Sequence, residues 1–334
     1  MSELLLELFS GEIPAMMQQK AAASYRDIFA KYFASKAIKF DQINVYVGPR
    51  RLAVHVSGMP AKLDASEEEF KGPKVGAPEA AVQGFCRANN ISPEQLSKKD
   101  IKGAECYVYL RQKSEQKTQD VLLASLQEPI SEYIWPKSMY WGDYKIKWVR
   151  PLQNILCIFD GQLVPFCYGH LTANNRSYGN RFMTNGDFAV SGFDDYRQKL
   201  ADNFVVLDSA DRKQYIQGEI AKLVAKLGLV VKDDEALLEE VVGLAEYPQV
   251  LVGKIREEFL SVPSEILVNA MRSHQKYFSL FDKGGKFAPY FIFVSNIAST
   301  DTEAVISGNE KVLSARLADA LYFYNQDLKT SLQE

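Results

Sequence analysis

The order of the first predicted elements constrains the fold of this chain more than any other feature. An apolar run over residues 4–9 is typical of a strand, and Pro14 then suits the start of a helix whose apolar spacing continues over 17–37. Residues 45–47 and 52–56 predict two further strands. A β-α-β-β order indicates an α+β fold rather than a doubly wound parallel sheet.

The remainder of the sequence extends this α+β pattern. Glycine and proline predict a loop over residues 71–78, and helical spacing predicts one helix over 119–134. Short strands and glycine turns dominate residues 135–190, which favours an antiparallel sheet. Helices are then predicted at 195–200, 211–227, 235–245, 264–272 and 310–324. We therefore expect mixed or antiparallel sheets with packed helices, more helical towards the C-terminus.

The length of 334 residues predicts two domains at about 100–200 residues per domain. The change from strands to helices places the boundary between residues 195 and 196. We expect residues 1–195 to form an α+β domain with antiparallel strands, and residues 196–334 to form a helix-rich α+β domain.

Composition limits the compartment and the kind of partner. The net charge of −3 excludes a generally basic surface, so any nucleic-acid contact has to be a local basic patch. Four cysteines without a CxxC pair and three scattered histidines predict neither a disulfide scaffold nor a zinc site. The sequence shows no signal peptide and no apolar membrane span, so we expect a cytoplasmic protein without a membrane partner.

The sequence carries no catalytic signature. It lacks the GxxxxGK[ST] phosphate loop, the GxGxxG dinucleotide motif, the GxSxG elbow and the HExxH metal motif. Its acidic runs, such as Glu67-Glu68-Glu69, are typical of solvated surfaces. We therefore expect no catalytic residue, no metal site and no bound cofactor in this chain.

Residues 135–150, the aromatic-basic segment, differ in composition from the rest. They hold all three tryptophans, two tyrosines and four basic residues, with one acid. Aromatic rings stack on unpaired bases while lysine and arginine neutralise phosphates, so this mixture suits RNA. Strand alternation would place Tyr144, Ile146 and Trp148 on one face and Lys145 and Lys147 on the other. In the alternative interpretation, the aromatic rings fill a core and the lysines merely face water.

Two further basic positions are candidates for RNA contact. Arg50 and Arg51 stand at a turn that enters a strand, where a guanidinium suits a phosphate or a carboxylate. The alternative is an ion pair between neighbouring elements. Lys276 follows His274 and Gln275 at the end of a predicted helix, where a cation also complements the helix C-terminus.

Several segments, taken in order, resemble the β subunit family of the bacterial heterotetrameric glycyl-tRNA synthetase over its N-terminal portion. The matching segments are Gly48-Pro49-Arg50-Arg51-Leu52-Ala53-Val54, Lys71-Gly72-Pro73, Pro136-Lys137-Ser138-Met139-Tyr140-Trp141-Gly142, Val149-Arg150-Pro151, Glu246-Tyr247-Pro248, Phe259-Leu260-Ser261-Val262-Pro263, His274-Gln275-Lys276-Tyr277-Phe278 and Gly308-Asn309-Glu310-Lys311-Val312. Each is weak alone, but together they cover nearly the whole chain. Two segments depart from the family pattern. The opening reads Phe9-Ser10-Gly11-Glu12-Ile13-Pro14, with the departure at Ser10-Gly11, and Asn180 stands in Gly179-Asn180-Arg181-Phe182.

The resemblance implies a division of labour within a heterotetramer. The partner α subunit would carry the class II active site that activates glycine with ATP and Mg²⁺. The β subunit would bind tRNA(Gly), and it would continue past residue 334 into an HD-like helical domain and an anticodon-binding domain. The candidate RNA-binding residues of this chain are Arg50, Arg51, Lys137, Trp141, Lys145, Lys147, Arg150 and Lys276.

Two other functions stay open at this point. In one, the chain is a structural scaffold that braces the further domains and the α subunit without touching RNA. In the other, it hydrolyses mischarged tRNA, which a loose similarity to an editing-associated module of phenylalanyl-tRNA synthetase β chains suggests. No paired nucleophile and base in the sequence support that second possibility.

Overall fold

The computed structural model describes residues 2–101 and 103–329. The chain opens as the sequence predicts, with a strand, a helix and an antiparallel hairpin: β1 (Ser2–Ser10), α1 (Ala15–Ser35), β2 (Gln42–Val47) and β3 (Arg51–Met59). Pro14 lies directly before α1, where its fixed φ suits the entry into the helix.

A small module is inserted between β3 and the next helix of the body. It consists of β4 (Lys62–Leu63), β5 (Ser66–Lys74), α2 (Glu79–Asn89), a 3₁₀ turn (Pro93–Gln95), β6 (Ser97–Ile101), β7 (Ala104–Lys113) and β8 (Gln116–Lys117). Strands β5, β7 and β6 form an antiparallel sheet, and β4 pairs with β8 at its base. The loop predicted over 71–78 is wrong for 71–74, because β5 continues to Lys74 through an irregular register beside Gly72 and Pro73.

The body is built on a five-stranded sheet. The helix predicted over 119–134 is two helices, α3 (Thr118–Ser125) and α4 (Gln127–Glu132), followed by β9 (Leu152–Phe159) and β10 (Gln162–Leu163). The strand order is β10-β9-β1-β3-β2, and every neighbouring pair is antiparallel. Both faces of β1 are buried. Leu4, Leu6 and Leu8 share one core with α1, whereas Leu5 belongs to a second core on the opposite face.

That second core is covered by α5 (Phe193–Asp202). Two short antiparallel pairs precede this helix: β11 (Cys167–Tyr168) with β12 (Leu171–Thr172), and β13 (Arg176–Tyr178) with β14 (Asp187–Ala189). Phe193, Tyr196 and Leu200 of α5 pack there with Leu5. The domain boundary that we placed at 195/196 falls inside α5, and residues on both sides of it pack on the five-stranded sheet. The division into two domains stays a prediction.

The rest of the chain forms a second sheet between two helical layers. Its elements are α6 (Ser209–Leu227), β15 (Val230–Val231), α7 (Glu235–Val242), β16 (Gln249–Lys254), a 3₁₀ turn (Glu257–Ser261), α8 (Ser264–Ala270), a π-turn (Met271–Gln275), β17 (Phe278–Phe281), β18 (Phe287–Ser295) and α9 (Thr302–Asp327). The strand order is β15-β17-β18-β16, again antiparallel. Helices α6 and α7 pack on one face, and α8 and α9 on the other.

This architecture confirms the predicted α+β class with antiparallel sheets and a helical C-terminal part. Among the helices of the described residues, none is long and apolar enough to cross a membrane.

Candidate nucleic-acid interface

Arg51 does not lie on a surface that RNA could reach. Its side chain is 1% exposed at the start of β3, where Nη1 lies 3.0 Å from Oε2 of Glu7 and Nη2 lies 3.1 Å from Oε1 of Glu246. The prediction of Arg51 as an RNA contact is therefore wrong for this structure. The alternative interpretation, an ion pair between neighbouring elements, is what the geometry shows.

The carboxylate of Glu7 is fully buried and has further donors. The Ser177 hydroxyl donates to Oε1 at 2.8 Å, and the Tyr196 hydroxyl donates to Oε2. Burial, and then the charge of Glu7, raise the pKa of Tyr196 well above its usual value. Burial alone lowers the pKa of Arg51, but the carboxylates of Glu246 and Glu7 raise it overall. We call Glu7, Arg51, Ser177, Tyr196 and Glu246 the buried junction.

The buried junction links the two sheets. Glu246 follows α7, and its backbone N–H and that of Tyr247 donate to Oδ1 of Asn296 at 2.8 and 3.0 Å. Asn180 donates from Nδ2 to the Asn296 carbonyl at 3.2 Å. The Arg51 motif, the Glu246-Tyr247-Pro248 motif and the departure at Asn180 therefore meet in one place.

Arg212 of α6 is a second buried arginine at the same boundary, and the sequence analysis missed it. Its Nε donates to the Val242 carbonyl at 3.1 Å, and its Nη1 donates to the Leu207 carbonyl at 2.9 Å. Burial lowers the pKa of Arg212 to about 10. Nothing in the local sequence separates this position from the solvated charges of an amphipathic helix.

The aromatic-basic segment is a loop rather than the predicted strand. Its only bridge within the described residues joins Met139 to Trp148, with the Met139 N–H donating to the Trp148 carbonyl at 2.9 Å. The predicted alternation in burial is nevertheless present over residues 145–148. Trp148 is buried and Ile146 half-buried, whereas Lys145 and Lys147 are exposed. Tyr144 departs from the alternation because it is exposed.

The three tryptophans do not share one environment. Trp135 and Trp148 lie in the core beside Tyr25, with their ring centroids 5.2 Å apart. Trp141 is half-buried, 6.1 Å from the ring of His170. Two of the tryptophans are therefore structural, and Trp141 lies at the edge of the surface.

Two tyrosines and the basic side chains form the outer face of the segment. Tyr140 is 58% exposed, with the ammonium of Lys147 4.8 Å from its ring centroid, and Tyr144 stacks on His170 at 4.0 Å. Lys137, Lys145 and Arg150 are also exposed. Aromatic rings and cations are thus accessible together, which is the combination that unpaired nucleotides require.

The last two predicted residues lie elsewhere. Arg50 is half-buried at the end of the five-stranded sheet, 4.6 Å from the Phe9 ring centroid, and its Nη2 donates to Oε1 of Gln153 at 2.9 Å. Lys276 lies between the π-turn and β17, where it has a φ of 60° and forms an ion pair with Glu240 at 2.9 Å.

Arg181 and Phe182 are surface candidates that the sequence analysis did not select. The guanidinium of Arg181 lies 4.6 Å from the Phe182 ring centroid, and Phe182 is 55% exposed. Both residues belong to the Gly179-Asn180-Arg181-Phe182 segment, in which the sequence pattern distinguishes only Asn180. In the part of the chain that the structure describes, no three His, Cys, Asp or Glu side chains group closely enough to hold a metal ion.

Comparison with known proteins decides the family. The profile described as glycyl-tRNA synthetase beta subunit matches residues 4–334. The chain belongs to the glycyl-tRNA synthetase beta subunit family. It is 51% identical over 333 residues to the glycine–tRNA ligase beta subunits of Rickettsia conorii and Rickettsia africae, covering 100% of this chain and 50% of each relative. The corresponding subunit of Rickettsia prowazekii is 48% identical over 332 residues, covering 99% of this chain and 50% of the relative.

This member of the glycyl-tRNA synthetase beta subunit family spans about half the length of those curated relatives. Two of the segments on which the resemblance rested, around Arg51 and Glu246, build the buried junction. A third contributes the exposed aromatic rings and cations of the aromatic-basic segment.

Proposed function

We propose that this chain is the N-terminal region of a glycine–tRNA ligase β subunit that helps to bind tRNA(Gly) in the cytoplasm. It would assemble with the catalytic α subunit in a heterotetramer, and glycine activation with ATP and Mg²⁺ would take place on that partner. Family membership supports the assignment to the ligase. The observation that carries the RNA contact is the exposed face of the aromatic-basic segment.

The chemistry of that face suits unpaired RNA. Lys137, Lys145 and Lys147 are exposed cations within one segment of a chain whose net charge is −3, as a local basic patch requires. Lys147 lies beside the exposed ring of Tyr140, so a phosphate and a neighbouring base can be contacted at one place. Trp135 and Trp148 anchor the segment in the core, which holds these groups in position.

A scaffold function without RNA contact is the second candidate. The buried junction favours it, because a well-paired ionic cluster between two sheets fixes their relative position. The two candidate functions differ in whether the exposed lysines contact RNA, so the test substitutes these lysines.

The test is a titration of tRNA(Gly) with the 334-residue chain at several salt concentrations, with a non-cognate tRNA alongside. The Lys145→Ala/Lys147→Ala variant should bind more weakly. Its log K against log[salt] slope should be shallower by about 1.4–1.8, as expected for the loss of two phosphate contacts. The matched control is Lys283→Ala/Lys286→Ala, which removes two exposed lysines from the β17–β18 turn. Equal affinities and slopes for both variants would favour the scaffold.

A further inference from the structure

The turn formed by Ser10, Gly11 and Glu12, here the 10–12 turn, gathers basic residues from three distant segments. The Ser10 N–H donates to the carbonyl of Arg50 at 2.9 Å. The Gly11 N–H donates at 3.0 Å to the carbonyl of Pro151, the residue after Arg150. Glu12 accepts a hydrogen bond from Nη2 of Arg181 at 2.5 Å. Each residue of the turn thus faces a different arginine-bearing segment.

The positive charge at this turn is only partly neutralised. Among the described residues, Arg181 has Glu12 as a carboxylate partner, whereas Arg50 and Arg150 have none. Arg50 bonds to the neutral Gln153 and its buried Nε has no acceptor within the described chain, while Arg150 bonds to the Val149 carbonyl. The neighbouring Arg51 adds nothing to this surface, because Glu7 and Glu246 pair with it.

Burial and two neighbouring arginines disfavour the positive charge of Arg50. Partial burial lowers the pKa of Arg50. The carboxylate of Glu246 acts in the opposite direction, the charges of Arg181 and Arg51 lower the pKa further, and the carboxylate of Glu12 raises it. A bound anion would offset both the burial and the repulsion. The planar guanidinium fork suits the paired oxygens of a phosphate.

We propose that Arg50, Arg150 and Arg181 around the 10–12 turn form a phosphate site that takes a backbone phosphate of the bound tRNA. This inference rests on the proposed function and extends it to a second group of cations, of which only Arg150 belongs to the aromatic-basic segment. Phe182, exposed beside Arg181, is positioned to stack on the base next to that phosphate.

Gly11 and Glu12 determine how accessible Arg150 and Arg181 are to a phosphate. A Cβ on Gly11 would lie 3.0 Å from the Cβ and 3.6 Å from the Cγ of Arg150, so a side chain at position 11 would lie directly against the Arg150 side chain. The φ of Gly11 is outside the left-handed region, so the backbone accepts other residues after a small shift of Arg150. Glu12 acts in the opposite way, because its carboxylate occupies Arg181.

The experiment measures tRNA(Gly) binding by variants of opposite expected sign. Arg50→Gln, Arg150→Gln and Arg181→Gln should each weaken binding by about tenfold, as loss of a charge-assisted contact does.

The variants of the turn itself should have opposite effects. Gly11→Glu should weaken binding by about fivefold relative to the isosteric control Gly11→Gln, because the new carboxylate pairs with Arg150. Glu12→Gln should strengthen binding by about two- to fivefold, since it releases Arg181. The matched charge control is Arg256→Gln, because Arg256 is an exposed arginine that pairs with Glu258 and lies between β16 and the 3₁₀ turn that follows it.

The outcomes separate this inference from the proposed function. Weaker binding by Gly11→Glu together with stronger binding by Glu12→Gln supports the site, and a folding defect cannot produce that opposite pair. The phosphate site is refuted and the proposed function stands if the three arginine variants, Gly11→Glu and Glu12→Gln all bind like the unsubstituted chain while Lys145→Ala/Lys147→Ala binds more weakly. If the unsubstituted chain binds no tRNA at low salt, both are refuted.

A second arm identifies the source of the phosphate. Inorganic phosphate and pyrophosphate are titrated into the unsubstituted chain and Arg181→Gln by calorimetry. Weak or absent binding of these small anions, with tRNA binding that depends on the arginines, supports an RNA backbone phosphate. Arginine-dependent binding of the small anions with unchanged tRNA affinity would overturn that source in favour of a free phosphate ligand.

Discussion

Arg50 and Arg51 are neighbours in sequence, yet they belong to regions with opposite physical character. Arg51 points into the buried junction, where two carboxylates neutralise it and no solvent reaches it. Arg50 lies at the end of the same sheet beside an aromatic ring and a neutral amide. Two adjacent arginines of one motif can therefore have different roles. Arg51 stabilises the fold, whereas Arg50 has no carboxylate partner among the described residues and is open to a ligand.

The largest expected effect breaks the junction. Arg51→Met leaves Glu7 and Glu246 buried without their partner, so the free energy of unfolding should fall by about 3–5 kcal/mol. Arg50→Met removes no ion pair and should cost less than about 1 kcal/mol. Urea unfolding of both variants makes the comparison. Equal losses would show that burial does not distinguish the two arginines.

A smaller effect concerns the tyrosine of the junction at alkaline pH. The folded state keeps Tyr196 protonated well above its usual pKa of 10, whereas the unfolded chain ionises it there. Because the raised folded-state pKa stabilises only while the proton is retained, stability should decline as pH rises above 10. Tyr196→Phe should make that decline shallower, although it loses about 1–3 kcal/mol at neutral pH by leaving Glu7 with one donor fewer.

The control for this pH series is Tyr140→Phe, which changes an exposed tyrosine of the aromatic-basic segment. Its alkaline unfolding profile should match that of the unsubstituted chain. The measurement is the free energy of unfolding in urea between pH 7 and the alkaline limit of folding. A Tyr196→Phe profile as steep as the original one would contradict the role of the buried hydroxyl.

The smallest expected change in stability is on the exposed segment, where binding rather than folding should respond. Tyr140→Ser should alter the free energy of unfolding by less than about 0.5 kcal/mol, since the ring is largely in solvent. Its affinity for tRNA(Gly) should nevertheless fall by about five- to tenfold through the loss of stacking. Thermal melts and the tRNA titration give the two values, and a loss of stability without a loss of affinity would make Tyr140 a structural residue.

The strands and helices that the sequence predicted well are those with strong local patterns. The leucine run of β1, the Pro14 start of α1 and the β2–β3 pair carry their information within a few residues. The loop prediction is wrong at Lys71–Lys74 because β5 accommodates Gly72 and Pro73 through an irregular register, which depends on the partner strand β7.

The candidate site was less predictable, because burial there depends on distant residues. Arg51 meets Glu246, which lies 195 positions away, and no local pattern distinguishes it from Arg50. Arg181 joins the candidates only once the fold brings it to Glu12. Composition alone identifies the aromatic-basic segment. It does not predict the backbone conformation, because alternating residues form a strand only beside a partner strand.

The inserted module illustrates a different property of this fold. Its first strand β4 pairs directly with its last strand β8, Lys62 opposite Lys117, so the two ends lie about 5 Å apart. The chain leaves the body and returns to it at nearly the same point. Residues 64–115 are therefore an insertion whose two ends meet, and we expect that a short turn in its place would leave every strand of the two main sheets at its present length and position.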